Sequence, residues 1–583
     1  MPKYSDAKNA QILIALLKAH NINQIVVNPG TTNIAFVGSI QNDSFFKVYS
    51  GVDERHSAYL ACGLAAESGK PVVLSCTGAT ASRNYFPALT EAYYRKLPVL
   101  AVTSSHEFNL VGHLSPQFMD RTVQPKDTVK ISVQCPTINN KQDERNCEIN
   151  INKAILELTR NGGGPSHINL ETSVNTFNTS ELPHVTPIHR YGMASSKLPE
   201  IKRNTKVLVW IGSHLPFSQE LTHALEQFAN IYQTVILTDN TSGYYGKYSL
   251  NGSLIGSQTG IKYDNTNYSN LKPDLIVHIG EISGDYPTYR LLRNIAPVWR
   301  VSADGEIRDT LGKLTNVFEM SERKFFEYYI KGKEEQKNSF FPEWEKADKS
   351  VREKIPELPF SNSWIANQLN GKLPKNSALH LGILNSLRSW NYYQLQPTIK
   401  STSNVGGFGI DGILSTVIGS SLVDKDKLYF CVVGDLAFFY DLNALGNRYI
   451  GNNLRILLIN NGCGGEFNMY NHPGSQFGKD TNLFIAAGGH FGNKSPNLVK
   501  HFAQDLGFKY LTATNKEEFI QVVPEFLDEN KDKSIIFECF TNTDDESNAL
   551  KLLNTIVPDN SIEGKVKKIV PASVKNLIKK VIQ

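Results

Sequence analysis

The sequence predicts an α/β chain built from three doubly wound parallel-sheet domains. Two observations carry this: short apolar runs alternate with helical stretches along most of the chain, and 583 residues exceed what one ordinary core can organise. Over residues 1–180, the runs QIVVNPG, PVVLSCTG, LPVLAVTSS and SHINLE are separated by helical stretches such as His56 to Ser68. Such alternation argues a parallel sheet covered on both faces. Ahead of it, MPKYSDAKNAQILIALLKAH is broken by Lys18 and His20 and carries no cleavage-site pattern, so it reads as an amphipathic helix. The polar, proline-bearing stretch from Asn175 to Pro199 reads as a linker.

A Rossmann-like middle domain follows over residues 200–335, with VLVWIGS, TVILTDN, LIVHIGE and VWRVSAD as strands. Its first strand is followed by Gly212 alone, not by GxGxxG, so no residue pattern argues for a dinucleotide there. After the charged helical stretch from Glu334 to Lys354, a third α/β unit spans residues 355–556, with ALHLGIL, LYFCVVGD, LRILLINNG and SIIFECF as buried strands. The outer units share a pattern without evident sequence identity. Residues 561–583 differ from all of this: Val574, Leu577, Ile578, Val581 and Ile582 fall on one helical face, and six lysines from Lys565 to Lys580 make the segment basic. Two readings stand for this tail, a peripheral contact with an anionic membrane surface and a helix docked on its own protein.

The 60 basic and 56 acidic residues leave a formal charge of +4, too small to indicate a nucleic-acid partner, so a small-molecule ligand is expected. The seven cysteines are scattered, with no CxxC pair, which points to a reducing compartment and away from a zinc site or disulfide framework. No run of 18 apolar residues occurs, so a cytoplasmic protein is expected.

The strongest chemical signal is Gly434-Asp435 at the end of the strand LYFCVV, with Asn460-Asn461 at the end of LRILLI, beginning 25 residues after the aspartate. Open α/β sheets bind ligands at the carboxyl ends of their strands. A carboxylate, an amide oxygen and a main-chain carbonyl there are hard ligands suited to Mg²⁺. Gly462, Gly464 and Gly465 let the backbone approach a diphosphate closely and offer it amides.

The stretch GDLAFFYDLNALGNRYIGNNLRILLINNG resembles the cofactor motif of the thiamine-diphosphate superfamily. Its DLNAL core and NVGGFGIDG are similar to the menaquinone-pathway 2-succinyl-5-enolpyruvyl-6-hydroxy-3-cyclohexene-1-carboxylate synthases. The similarity takes in NPGTTN, VDERHSAYLACGLAAESGKPVVLSCTGATASRNYFPALTEA, GDYPTYRLLRN and FTNTDDESNALKLL, and stops before the basic tail. It implies pyrimidine-binding, middle and diphosphate-binding domains, with thiamine diphosphate and Mg²⁺ as cofactors. Glu54 would be the catalytic carboxylate that favours the imino tautomer of the aminopyrimidine, whose nitrogen deprotonates the thiazolium carbon. Asp435, Asn461 and the Cys463 carbonyl would hold the metal. Leu436, Ala437 and Gly464 would lie against the diphosphate, and Gly409 and Ile410 against the cofactor rings, with Ile410 as the wedge that bends them. Glu54 and Asp435 belong to different domains, and the family pairs them across a subunit interface, so a homodimer or homotetramer is expected.

The resemblance also implies substrate residues. Thr31, Thr32, Thr77, His106, Gln117, Arg290 and Arg388 match its substrate pocket, with His113 a further candidate beside His106. Three positions at which the synthases use arginine carry Thr32, His106 and Val405 here. Each substrate carboxylate left without a partner costs on the order of a few kcal/mol. The expectation is therefore a decarboxylase–carboligase with a smaller or less acidic 2-oxo acid donor, such as pyruvate, and a carbonyl acceptor, in place of 2-oxoglutarate and isochorismate. The alternatives are a simple decarboxylase of the phosphonopyruvate or sulfopyruvate kind, a true menaquinone-pathway synthase, and a scaffold without turnover.

Overall fold

The computed structural model describes residues 3–172, 176–193, 195, 197–263, 267–489 and 495–559. The basic tail at 561–583 lies outside them. The chain forms two compact units, one of Met1–Ser195 with Asp304–Glu319 and one of Ser196–Ala303 with Met320–Gln583.

In the first unit, β1 (Gln24–Val27), β2 (Lys47–Ser50), β3 (Val72–Thr77), β4 (Val99–Ser105), β5 (Ser132–Cys135) and β6 (Ser166–Glu171) form one parallel sheet in the order β2-β1-β3-β4-β6-β5. β3, β4 and β6 are buried along nearly their whole length, as strands covered on both faces must be. The N-terminal helix, Lys8–Ala19, is buried around its full circumference from Asn9 to Leu17, so the amphipathic expectation gives way to a core helix. Its polar residues stay inside because they are bonded: the Asn9 side-chain amide donates to the carbonyls of Glu171 at 2.7 Å and Cys135 at 3.1 Å.

The same unit holds β7 (His189–Gly192) and β13 (Leu314–Glu319), which pair in parallel. Three contacts account for the excursion of 304–319 into this unit. Tyr191 stacks on Phe318 at 5.4 Å, Arg145 pairs with Asp309 at 2.8 Å, and Arg160 with Glu319 at 3.2 Å.

In the second unit, β8 (Lys206–Ile211), β9 (Gln233–Thr238), β10 (Ser249–Asn251), β11 (Leu275–Ile279) and β12 (Val298–Ser302) run in the order β10-β9-β8-β11-β12. Then β14 (Ala378–Leu381), β15 (Lys400–Ser403), β16 (Tyr429–Gly434), β17 (Leu454–Asn460), β18 (Lys509–Ala513) and β19 (Ile535–Phe540) form a parallel sheet in the order β15-β14-β16-β17-β19-β18. This order repeats that of the first sheet strand for strand. Buried hydrogen bonds tie the two layers of this unit together: Asn240 donates to the Trp390 carbonyl at 2.8 Å, and Gln258 to that of Leu553 at 2.8 Å. Among the described residues no helix is long and apolar enough to cross a membrane.

Candidate active site

The β16–β17 edge carries the metal-type oxygens. Asp435 opens the short helix Asp435–Tyr440 directly after β16 and is 5% exposed. Its carboxylate accepts hydrogen bonds from the Leu436 and Gly462 amides, yet burial, reinforced by Glu538, pushes it up to about 7. The two asparagines after β17 divide their work. Asn460 points into the sheet, donating to Glu538 at 2.7 Å and accepting from the Gly462 amide at 3.2 Å. Asn461 lines a cavity of about 150 Å³ together with Asp435, Leu436, Ala437, Cys463 and Gly464. Gly462 turns the chain at φ +81°, which a side chain would strain. Ile410, half-buried, faces the same cavity, whereas its neighbour Gly409 lies outside the lining.

The Asp435 carboxylate is buried, and the donor set around it, the Asn461 side-chain oxygen and main-chain carbonyls, is oxygen-rich, as a hard divalent cation requires. A Cβ at Gly465 would approach the Asn461 amide to 2.9 Å, so backbone and side chain are packed for close approach. Among the described residues no cluster of three or more His, Cys, Asp or Glu is placed to hold a metal, so a cation at Asp435 draws on amide and carbonyl oxygens. These residues fit a Mg²⁺-bound diphosphate. The Cys463 thiol is pushed up to about 11 by burial and then by Asp435, and remains an uncharged neighbour.

Glu54 begins the helix Glu54–Ser68 in the first unit and is half-buried. Asp53 caps that helix, accepting from the His56 amide at 2.7 Å. The start is held from below by Asn28 of NPGTTN, which donates to the Gly51 carbonyl at 2.8 Å and the Ser57 hydroxyl at 2.9 Å, and accepts from the Tyr85 hydroxyl at 2.8 Å. Burial above all, with smaller contributions that include Glu54, raises both the Tyr85 hydroxyl and the Cys76 thiol, the latter to about 12. Asn28, Ser57 and Tyr85 were not singled out from the sequence. Only the NPG tripeptide hinted at them.

Of the substrate residues implied by the resemblance, Thr32 and Thr77 meet through their hydroxyls, and Thr32 also donates to the Ser104 carbonyl at 2.8 Å. Thr31 is exposed beside them. His106 stacks on Phe118 with ring centroids 5.5 Å apart. Gln117 and His113 are exposed, Gln117 with φ +71°. Arg121, unmarked by sequence reasoning, is 3% exposed and donates to Asn169; burial lowers its pKa to about 10. In the second unit Arg290 is exposed, Val405 is buried, and Arg388 is bound by Glu466.

Residues 7–125 match the family model described as thiamine pyrophosphate enzyme, N-terminal TPP binding domain. Over 563 residues, 94% of this chain and 98% of the relative, the sequence is 32% identical to the 2-succinyl-5-enolpyruvyl-6-hydroxy-3-cyclohexene-1-carboxylate synthase of Bacteroides thetaiotaomicron. The chain belongs to the thiamine pyrophosphate enzymes. It is also 32% identical over 564 residues to the synthase of the same name from Phocaeicola vulgatus, covering 94% of this chain and 98% of that one. A more distant synthase, from Christiangramia forsetii, is 28% identical over 605 residues, covering 92% and 97%. As a thiamine pyrophosphate enzyme related to these carboligating synthases, the protein has the three-sheet α/β fold expected from its sequence.

Proposed function

We propose that the protein is a Mg²⁺- and thiamine-diphosphate-dependent decarboxylase–carboligase. The observation that carries this is the cavity at the carboxyl ends of β16 and β17, which Asp435, Asn461, Cys463, Gly464 and Ile410 line together. When bound, the cofactor supplies a nucleophilic carbon that can accept a 2-oxo acid and stabilise the charge left by loss of CO₂. The protein's part is binding and proton control. Asp435, Asn461 and the Cys463 carbonyl hold the cation, the glycine turn offers amides to phosphate, and Glu54 holds a proton at the aminopyrimidine. Exposed Val52 at 83% and Tyr59 at 46%, flanking Glu54, support a second copy of the chain as the partner that completes the site.

The relatives' shared name supports the synthase reaction itself, for which the family resemblance implies 2-oxoglutarate as donor and isochorismate as acceptor. A second reading, a smaller or less acidic 2-oxo acid donor, draws its support from Thr32, His106 and Val405, which offer no guanidinium at positions where the synthases use one. Calorimetric titration of the purified protein with thiamine diphosphate tests the shared core. Tight binding is expected with Mg²⁺ and little without it; no uptake in either condition would sink both readings. Product analysis after incubation with 2-oxoglutarate plus isochorismate, and with pyruvate with and without aldehydes, then separates synthase, altered carboligase and simple decarboxylase.

A further inference from the structure

Two cavities meet in the second unit. The one at Asp435 shares Leu384 and Glu466 with a neighbour of about 260 Å³, which is also lined by Asp285, Arg290, Arg388 and Phe408. Leu384 stands at the junction with φ +64°, a left-handed conformation that a branched side chain adopts only when its surroundings impose it. Glu466 likewise faces both cavities.

Arg388 is the guanidinium that the family resemblance offers to a substrate carboxylate. It is already engaged: Nη1 donates to Glu466 Oε1 at 3.0 Å and Nη2 to Oε2 at 2.7 Å, and Nη2 also meets Asn385. Both side chains are largely buried, at 21% and 18% exposure, and a planar two-point pair of this kind is the strongest form of the interaction. An incoming carboxylate would have to displace Glu466 and leave it buried without a partner. Arg290 differs, being exposed and without an ion-pair partner among the described residues.

We propose that Glu466 is the specificity-determining residue of this pocket. By occupying Arg388 it leaves Arg290 as the one uncommitted guanidinium of the larger cavity, so the pocket takes a 2-oxo acid with a single carboxylate and discriminates against a second. The inference rests on the reading of the protein as a thiamine-diphosphate enzyme with a less acidic donor, and it assigns that donor's class.

The test uses protein loaded with thiamine diphosphate and Mg²⁺, titrated calorimetrically with two unreactive probes, butyrate and glutarate. In E466Q, glutarate affinity is expected to rise at least about tenfold while butyrate changes by less than about twofold, the scale of one charge-assisted pair. In R388Q/E466Q, a neutral pair of the same shape, glutarate affinity should match that of the unsubstituted protein within about twofold. A folded E466Q without a glutarate-selective gain overturns the inference. So does a roughly tenfold loss of glutarate binding in R388Q/E466Q, which would mean that Arg388 serves the ligand already; this arm decides the matter even where E466Q does not fold. Failure of the unsubstituted protein to load with cofactor overturns instead the reading beneath, and the inference with it.

Discussion

Glu546 offers a quantitative handle on the buried electrostatics of the site. It lies in the helix Thr543–Asn554, 5% exposed, and its Oε1 accepts from the Asn362 amide at 2.9 Å and the Thr541 hydroxyl at 2.8 Å. Burial pushes its carboxyl up from 4.5 to about 7, against the pull of these hydrogen bonds and of Arg388. Because the folded value lies above the unfolded one, the unfolded chain releases this proton first as pH rises. The contribution to stability is thus fully present below about pH 4.5 and is lost as pH climbs to about 7. At about 1.4 kcal/mol per pH unit, the loss amounts to about 3 kcal/mol.

E546Q keeps the shape and one acceptor oxygen but cannot ionise. It places an amide where the second oxygen was, at a pH-independent cost of about 1 kcal/mol. Relative to the unsubstituted protein, E546Q should be less stable by about 1 kcal/mol at pH 4.5 and more stable by about 2 kcal/mol at pH 8. Scanning calorimetry of cofactor-free protein reads this directly. At on the order of 1 °C per kcal/mol for a folding unit of this size, the difference in Tm between the two proteins should move by roughly 3 °C across that range. Other buried carboxyls raised in the same way, Asp285 and Glu538 among them, are common to both proteins and cancel. A Tm difference that stays constant between the two pH values refutes the reasoning.

Three further outcomes are expected. E54Q should bind thiamine diphosphate within about tenfold of the unsubstituted protein yet lose about 10²-fold or more in turnover of a 2-oxo acid; turnover kept above a tenth would remove Glu54 from the chemistry. G465A puts a Cβ 2.9 Å from the Asn461 side-chain nitrogen and should weaken Mg²⁺-dependent cofactor binding at least about tenfold by calorimetry, an expectation that an unchanged Kd would contradict. N9A strips donors from the Glu171 and Cys135 carbonyls, which the structure buries, and should lower stability by about 2 kcal/mol, measured as a fall in Tm with cofactor binding retained.

The strands legible in the sequence and those that were not fall into a physical pattern. Interior strands such as VVLSCT, YFCVVG and LRILLIN are flanked on both sides and covered on both faces, so they read as apolar runs. KVYS, SVQC, KSTS and KYLTA escaped notice because they are β2, β5, β15 and β18, the edges of the two six-stranded sheets. An edge strand has one open side and carries the charge and polarity that keep it from pairing further. The same divide runs through the site. Asp435 and Asn461 were visible because each closes an apolar strand, a local signal. The Arg388–Glu466 pair joins residues 78 apart and leaves no local trace, so the match at Arg388 suggested an available guanidinium that the fold has already committed.

The repeated strand order gives the placement of these groups a common cause. In each six-stranded sheet the third and fourth strands in sequence sit side by side at the centre, and their carboxyl ends are where a crossover must leave the layer. In the second unit those ends carry Asp435 and Asn461. In the first unit they carry Thr77, which meets Thr32, and the Ser105-His106 step, with His106 stacked on Phe118. The positions are topologically equivalent while the chemistry differs: oxygens suited to a cation on one sheet, hydroxyls and an imidazole on the other. One backbone plan therefore presents two kinds of polar edge, and the side chains at four strand ends, not the order of the strands, decide which ligand each edge can hold.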